Sequence, residues 1–140
     1  MKPSLFFRIA SVLLLLFAIG HTLGFRSPDP QWGVDSLVTS MHSIHFNVQG
    51  FDRTFWDLYT AAGFYVGVFL LFSAILAWQL GSLAPQNLAP LRLTAWAFAL
   101  VFVVLTILSS RYLFAIPVVF SSLIALCLIL AAGLSHKQSS

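Results

Sequence analysis

The sequence predicts an all-α integral membrane protein, a four-helix bundle with a short interfacial helix between the first and second spans. Three observations predict it. Apolar residues make up 59% of the chain and charged residues 8%, where a soluble domain carries about a quarter charged. Mean hydropathy is +0.94. Four apolar runs of spanning length alternate with short polar segments, so lipid rather than water must be the solvent for most of the surface. The 140 residues read as a single membrane domain.

The elements follow in order. After a short basic start with Lys2 and Arg8, the apolar residues from about 5 to 25 form the first span. A run of about 20 residues is enough to cross the hydrocarbon. Ala18-Ile19-Gly20 would serve as a cleavage site if this run were a signal sequence. Gly20 and Gly24 favour a retained span instead, because small residues four apart let another helix approach closely in lipid. Pro28 and Pro30 then make a turn-rich connector.

Leu37, Val38, Met41, Ile44, His45 and Val48 recur at helical spacing, which predicts an interfacial helix over about 36–49. Asp35 would be its N-cap and Gly50 its end. The second span follows at about 58–80, with Gly63 and Gly67 as another small-residue pair and Trp78 as an interfacial anchor. Residues 81–90 read as a short uncharged loop, 91–108 as the third span and Ser109 to Tyr112 as a tight turn. The fourth span is expected at 113–134, with Pro117 kinking it or breaking its first turn, and 135–140 as a frayed tail.

Four spans put both termini on one side. With the termini inside, that side holds Lys2, Arg8, Arg92 and Lys137, against Arg26, Arg53 and Arg111 outside. The positive-inside bias therefore points to a multi-pass protein of the cell inner membrane with both termini cytoplasmic. The net charge of +3 is scattered, with no basic run of the kind that neutralises phosphates, which excludes nucleic acid as a partner. The lone Cys127 lies in an apolar run and has no internal disulfide partner.

Ionisable groups are segregated. There is no Glu, and all four acids (Asp29, Asp35, Asp52 and Asp57) lie between the first two apolar runs, with His21, His42 and His45 in or beside the same stretch. The candidate ligand-binding residues are His21, His42, His45, Asp52, Arg53, Trp56, Asp57 and Tyr59. On one helix, His42 and His45 would share a face, extended by Gln49, and imidazoles so spaced can hold a metal or haem. The plainer role is interfacial hydrogen bonding. His21 is an ionisable group in an apolar run, so it faces protein or a wet cavity. It serves either as a proton-accepting or ligand-binding imidazole or in an interhelical hydrogen bond that fixes packing. Asp57 suits the N-terminus of a span, where free N–H groups attract an anion, and Arg53 four residues before it is placed to pair with it. Trp56 and Tyr59 are either interfacial anchors or the mouth of an aromatic pocket.

No phosphate loop, Cys-x-x-Cys or His-Glu-x-x-His occurs, no serine stands out as a nucleophile, and no internal repeat suggests a transporter. The set Gly20-His21-Thr22, His45-Phe46, Val48, Gly50, Arg53, Trp56-Asp57, Tyr59 and Gly63 resembles small four-span bacterial membrane proteins of unassigned activity. The likeness covers roughly residues 15–70. In architecture the chain is also loosely similar to the DoxX-like group, which implies membrane-linked redox or quinone chemistry for some members.

Three functions fit. One is an accessory membrane protein holding a small apolar or amphipathic ligand, a lipid or quinone-like molecule, beneath the polar cluster. The second is an oxidoreductase or isomerase using histidine as acid/base or as a haem or metal ligand. The third is a subunit docking into a larger assembly, homo- or hetero-oligomeric, through Gly20, Gly24, Gly63 and Gly67.

Overall fold

The computed structural model describes residues 2–83 and 85–137. The order is α1 (Pro3–Gly24), a 3₁₀ turn (Pro30–Trp32), α2 (Asp35–Ser43), β1 (His45–Val48), β2 (Phe51–Thr54) and α3 (Phe55–Ser82). Then come α4 (Pro85–Leu88), a second 3₁₀ turn (Ala89–Leu91), α5 (Arg92–Tyr112) and α6 (Ala115–Lys137). Among the described residues, α1, α3, α5 and α6 are long and apolar enough to cross a membrane. Their most hydropathic windows are only 22% (α3) to 39% (α6) buried within the protein. The remaining apolar surface needs hydrocarbon around it, which makes this a multi-pass membrane protein.

The chain divides into two compact units, one of residues 1–17 and 70–140, the other of residues 18–69. The first unit is a four-helix bundle. From α1 it buries Phe7, Ala10 and Leu14, and from α3 Leu70, Ala74, Ala77 and Leu80. Ala95, Phe98, Ala99 and Phe102 come from α5, and Ile124, Leu128, Ala131 and Ala132 from α6. Each set repeats every three or four residues, which gives one buried stripe per helix. Much of the stripe is alanine, as expected where helices associate in lipid by close packing rather than by a hydrophobic drive. Ser11 adds a polar tie, its Oγ donating to the Ala74 carbonyl at 2.7 Å. Phe17 stacks on Phe120 with centroids 5.2 Å apart, and the Arg8 guanidinium lies 5.6 Å from the Trp78 ring centre.

Several boundaries differ from expectation. Residues 81–90 are not a plain loop, because α3 runs to Ser82 and Pro85 to Leu91 form helical turns. Ser109 to Tyr112 continue α5, and the chain turns only at Leu113, whose backbone is extended and whose N–H still bonds the Ser109 carbonyl at 2.9 Å. Pro117 is in the first turn of α6, where its missing N–H breaks no helical bond, so it starts the helix instead of kinking it. Helix α6 also extends through residues 135–137 of the expected frayed tail; residues 138–140 lie outside the described residues.

The second unit holds the largest departure. The expected interfacial helix over 36–49 ends at Ser43, and residues 45–54 form an antiparallel hairpin. Gln49 and Gly50 both have positive φ (53° and 88°), the requirement of a two-residue primed turn. Gly50 therefore turns a hairpin and does not cap a helix. Asp35 is the first residue of α2, with Val34 at the N-cap and no side-chain cap bond.

Core deletions test the bundle. Leu14→Ala should cost about 2–5 kcal/mol. Ser11→Ala, losing a single interhelical hydrogen bond, should cost only about 0.6 kcal/mol. Reversible unfolding in detergent micelles measures both, and equal effects would contradict this packing.

Candidate functional site

The second unit gathers every ionisable group singled out by the sequence, but as two clusters and not one. The first is a ladder of rings joining the end of α1 to the start of α3. His21 stacks on Phe25 at 5.3 Å, and Phe25 meets Tyr59 at 6.1 Å and Phe64 at 5.3 Å. Tyr59 continues to Trp56 at 5.4 Å, and Trp56 stacks on His42 of α2 at 4.4 Å. Two hydrogen bonds lock the ladder to the backbone. The Tyr59 hydroxyl donates to the Phe25 carbonyl at 2.7 Å, and His21 Nε2 lies 2.9 Å from the Gly63 carbonyl. A carbonyl only accepts, so Nε2 carries the hydrogen. His21 is thus an interhelical donor.

Gly63 explains why the rings fit. A Cβ there would collide with the Phe25 ring, and one at Gly67 would sit 2.9 Å from Thr22 Oγ1. Both glycines face side chains at the end of α1 and just beyond it, Thr22 and Phe25. Gly20 and Gly24 meet nothing within 4 Å.

The second cluster is on the hairpin. Its register pairs His45 with Thr54, Phe46 with Arg53, Asn47 with Asp52 and Val48 with Phe51. Alternation then separates a polar face (His45, Asn47, Asp52, Thr54) from a face of Phe46, Val48, Phe51 and Arg53. On the polar face His45 Nδ1 donates to Asp52 Oδ2 at 3.0 Å, with both side chains at least 60% exposed. A hydrogen bond so exposed orients the histidine but adds little stability. On the other face the Arg53 guanidinium lies 5.3 Å from the Phe51 ring centre, and its Nη1 donates to the Asp52 carbonyl at 2.7 Å.

This geometry corrects two expectations. His42 lies in the last turn of α2 and His45 begins β1, so they share no helical face, and Gln49 is in the turn. Among the described residues no three His, Cys, Asp or Glu side chains converge as a metal cluster. Arg53 precedes α3 on a strand and does not pair with Asp57. Instead Asp57 closes a capping box with Thr54. The Thr54 N–H donates to Asp57 Oδ2 at 2.8 Å and the Asp57 N–H to Thr54 Oγ1 at 3.1 Å, fixing the start of a spanning helix.

Between α2 and the first turns of α3 runs an open groove of about 540 Å³. Helix α2 lines it with Leu37, Ser40, Met41 and Ile44, and α3 with Phe55, Leu58, Tyr59 and Ala62. Its only two hydroxyls are already donating, Ser40 to the Ser36 carbonyl at 2.9 Å and Tyr59 to Phe25. The groove therefore offers hydrocarbon contact and no uncommitted hydroxyl donor. Phe46 packs on Phe55 at 5.1 Å, which joins the hairpin's apolar face to the groove wall.

Sequence reasoning missed Phe25, Thr54 and the groove residues Leu37, Met41, Leu58 and Ala62. Thr-x-x-Asp before an apolar run is a capping-box signal that would have found Thr54. The polar–apolar alternation of His45 to Val48 before Gln-Gly signals a strand and turn.

Gly63→Ala should displace Phe25 and cost about 1–3 kcal/mol, the usual range for overpacking. Thr54→Ala should cost about 1 kcal/mol through the lost cap. Unfolding midpoints of the two variants check both, and an unchanged Gly63→Ala midpoint would refute the close approach. Comparison with known protein families, curated proteins and solved structures finds no match to this chain.

Proposed function

We propose that this membrane protein binds the hydrocarbon chain of an amphipathic lipid in the groove between α2 and α3. The observation that carries the reading is the groove itself. Its volume of about 540 Å³ falls within the usual ligand-site range of roughly 300–1,000 Å³. Both of its hydroxyl donors are spent on backbone carbonyls. A quinone head needs donors for its carbonyl oxygens, whereas an acyl or prenyl chain needs only apolar contact. The groove chemistry thus favours the chain over the head. Its place at the start of α3 gives a bilayer lipid direct lateral access.

In this reading the ring ladder is scaffold. It holds α1 against α3 and fixes the Tyr59 side of the groove, and His42 on Trp56 secures α2, which forms the opposite wall. The protein belongs to a bacterial inner membrane with both termini cytoplasmic and the hairpin on the opposite side. A reporter fused at Ser82 and one at the C-terminus should then both register cytoplasm.

A phospholipid carrying a diazirine in its acyl chain tests the binding. Photolysis in reconstituted vesicles should label Met41, Leu58 and Ala62 above the level of the outward-facing Tyr65 and Phe72. Ala62→Trp, which fills the groove, should reduce that labelling severalfold. Equal labelling of all five positions would sink the proposal.

A further inference from the structure

We infer that the lipid held in this groove bears an anionic phosphate headgroup, and that Arg53 is the residue that binds it. The inference rests on the groove reading and adds the headgroup to it. Arg53 is directly across the hairpin from Phe46, whose ring packs on Phe55, a wall of the groove. Directly opposed side chains on one face have Cβ atoms about 5 Å apart. The guanidinium itself rests over the Phe51 ring and on the Asp52 carbonyl, so the Arg53 side chain reaches toward the groove by turning across Phe46.

The surroundings leave that cation available. Arg53 makes no ion pair among the described residues, and one of its N–H groups bonds the Asp52 carbonyl. The other donors of the fork remain for a ligand. Neither of the acids nearest in sequence contacts it as an ion pair, although Asp57 is close enough to feel the Arg53 charge. The alternation of the strand puts the Asp52 side chain on the opposite face, against His45, and Asp57 is closed into the capping box with Thr54. The face around Arg53 is otherwise Phe46, Val48 and Phe51, with Val48 about half exposed and Phe51 61% exposed.

A planar fork of donors on an apolar surface suits phosphate, which it meets with two parallel hydrogen bonds. No carboxylate shares the face to receive the ammonium of a zwitterionic headgroup. A net-negative phospholipid is the occupant whose chain and head both match. The exposed phenylalanines would lie among neighbouring lipids at the interface.

The test is native mass spectrometry of the full-length protein in micelles, titrated with phosphatidylglycerol or phosphatidylcholine of identical chains. The wild type should retain phosphatidylglycerol in preference. Arg53→Gln should weaken its retention roughly fivefold, the weight of one cationic side chain at an anionic lipid surface. Phosphatidylcholine retention should stay unchanged, and Arg53→Lys should restore part of the preference. If Arg53→Gln keeps the wild-type ratio while Ala62→Trp releases both lipids, the headgroup assignment fails and the groove reading survives. If Ala62→Trp releases neither lipid, the groove reading itself fails. Binding of inorganic phosphate alone at the same concentrations, lost in Arg53→Gln, would assign the site to a free anion and overturn the inference.

Discussion

The second unit depends on one close approach, the Phe25 ring laid on the backbone of α3 where Gly63 has no side chain. Everything polar around it is arranged to keep that contact. His21 donates to the Gly63 carbonyl and Tyr59 donates to the Phe25 carbonyl, so each helix takes a hydrogen bond from the other. The two bonds run in opposite directions between the same two segments and so fix their rotation as well as their separation. From this junction the ring ladder runs through Trp56 to His42 and so positions α2.

The connector between the first two spans is accordingly not a loose tether. Its proline turn, short helix and hairpin return the chain to α3, and the capping box of Thr54 and Asp57 decides where the spanning helix begins. That starting point also sets the groove, whose α3 wall is built from the residues just past it. A helix beginning a turn earlier would take Arg53 off the strand face and remove Phe46 from Phe55. The hairpin thus separates its charges, with the histidine–aspartate pair on one side and the arginine, laid over Phe51, on the apolar side.

The spans were legible because lipid imposes a strong and simple constraint, about twenty apolar residues with every backbone bond made inside the helix. Charged groups are too costly in that region to hide the pattern, and the confinement of all four acids to one connector was equally plain. The site was less legible. Over residues 36–48 the apolar positions fit both a helical period and, from His45 onward, an alternating one. Propensity alone does not choose between them. The pairing of His45–Val48 with Phe51–Thr54 does, since strand bonds form only when the second strand is present.

The sequence by itself determined the solvent, the four spans and the segment in which ionisable groups collect, since all of these follow from local composition and helix length. Only the tertiary structure decided which of those groups meet. Contacts such as His21 with Gly63, His42 with Trp56 and Phe46 with Phe55 depend on where two elements touch, and nothing local encodes that meeting. The physical reason is geometric. A hydrophobic period fixes which face of a helix turns inward, but the depth and rotation of its partner come from packing, and here from the space left at Gly63.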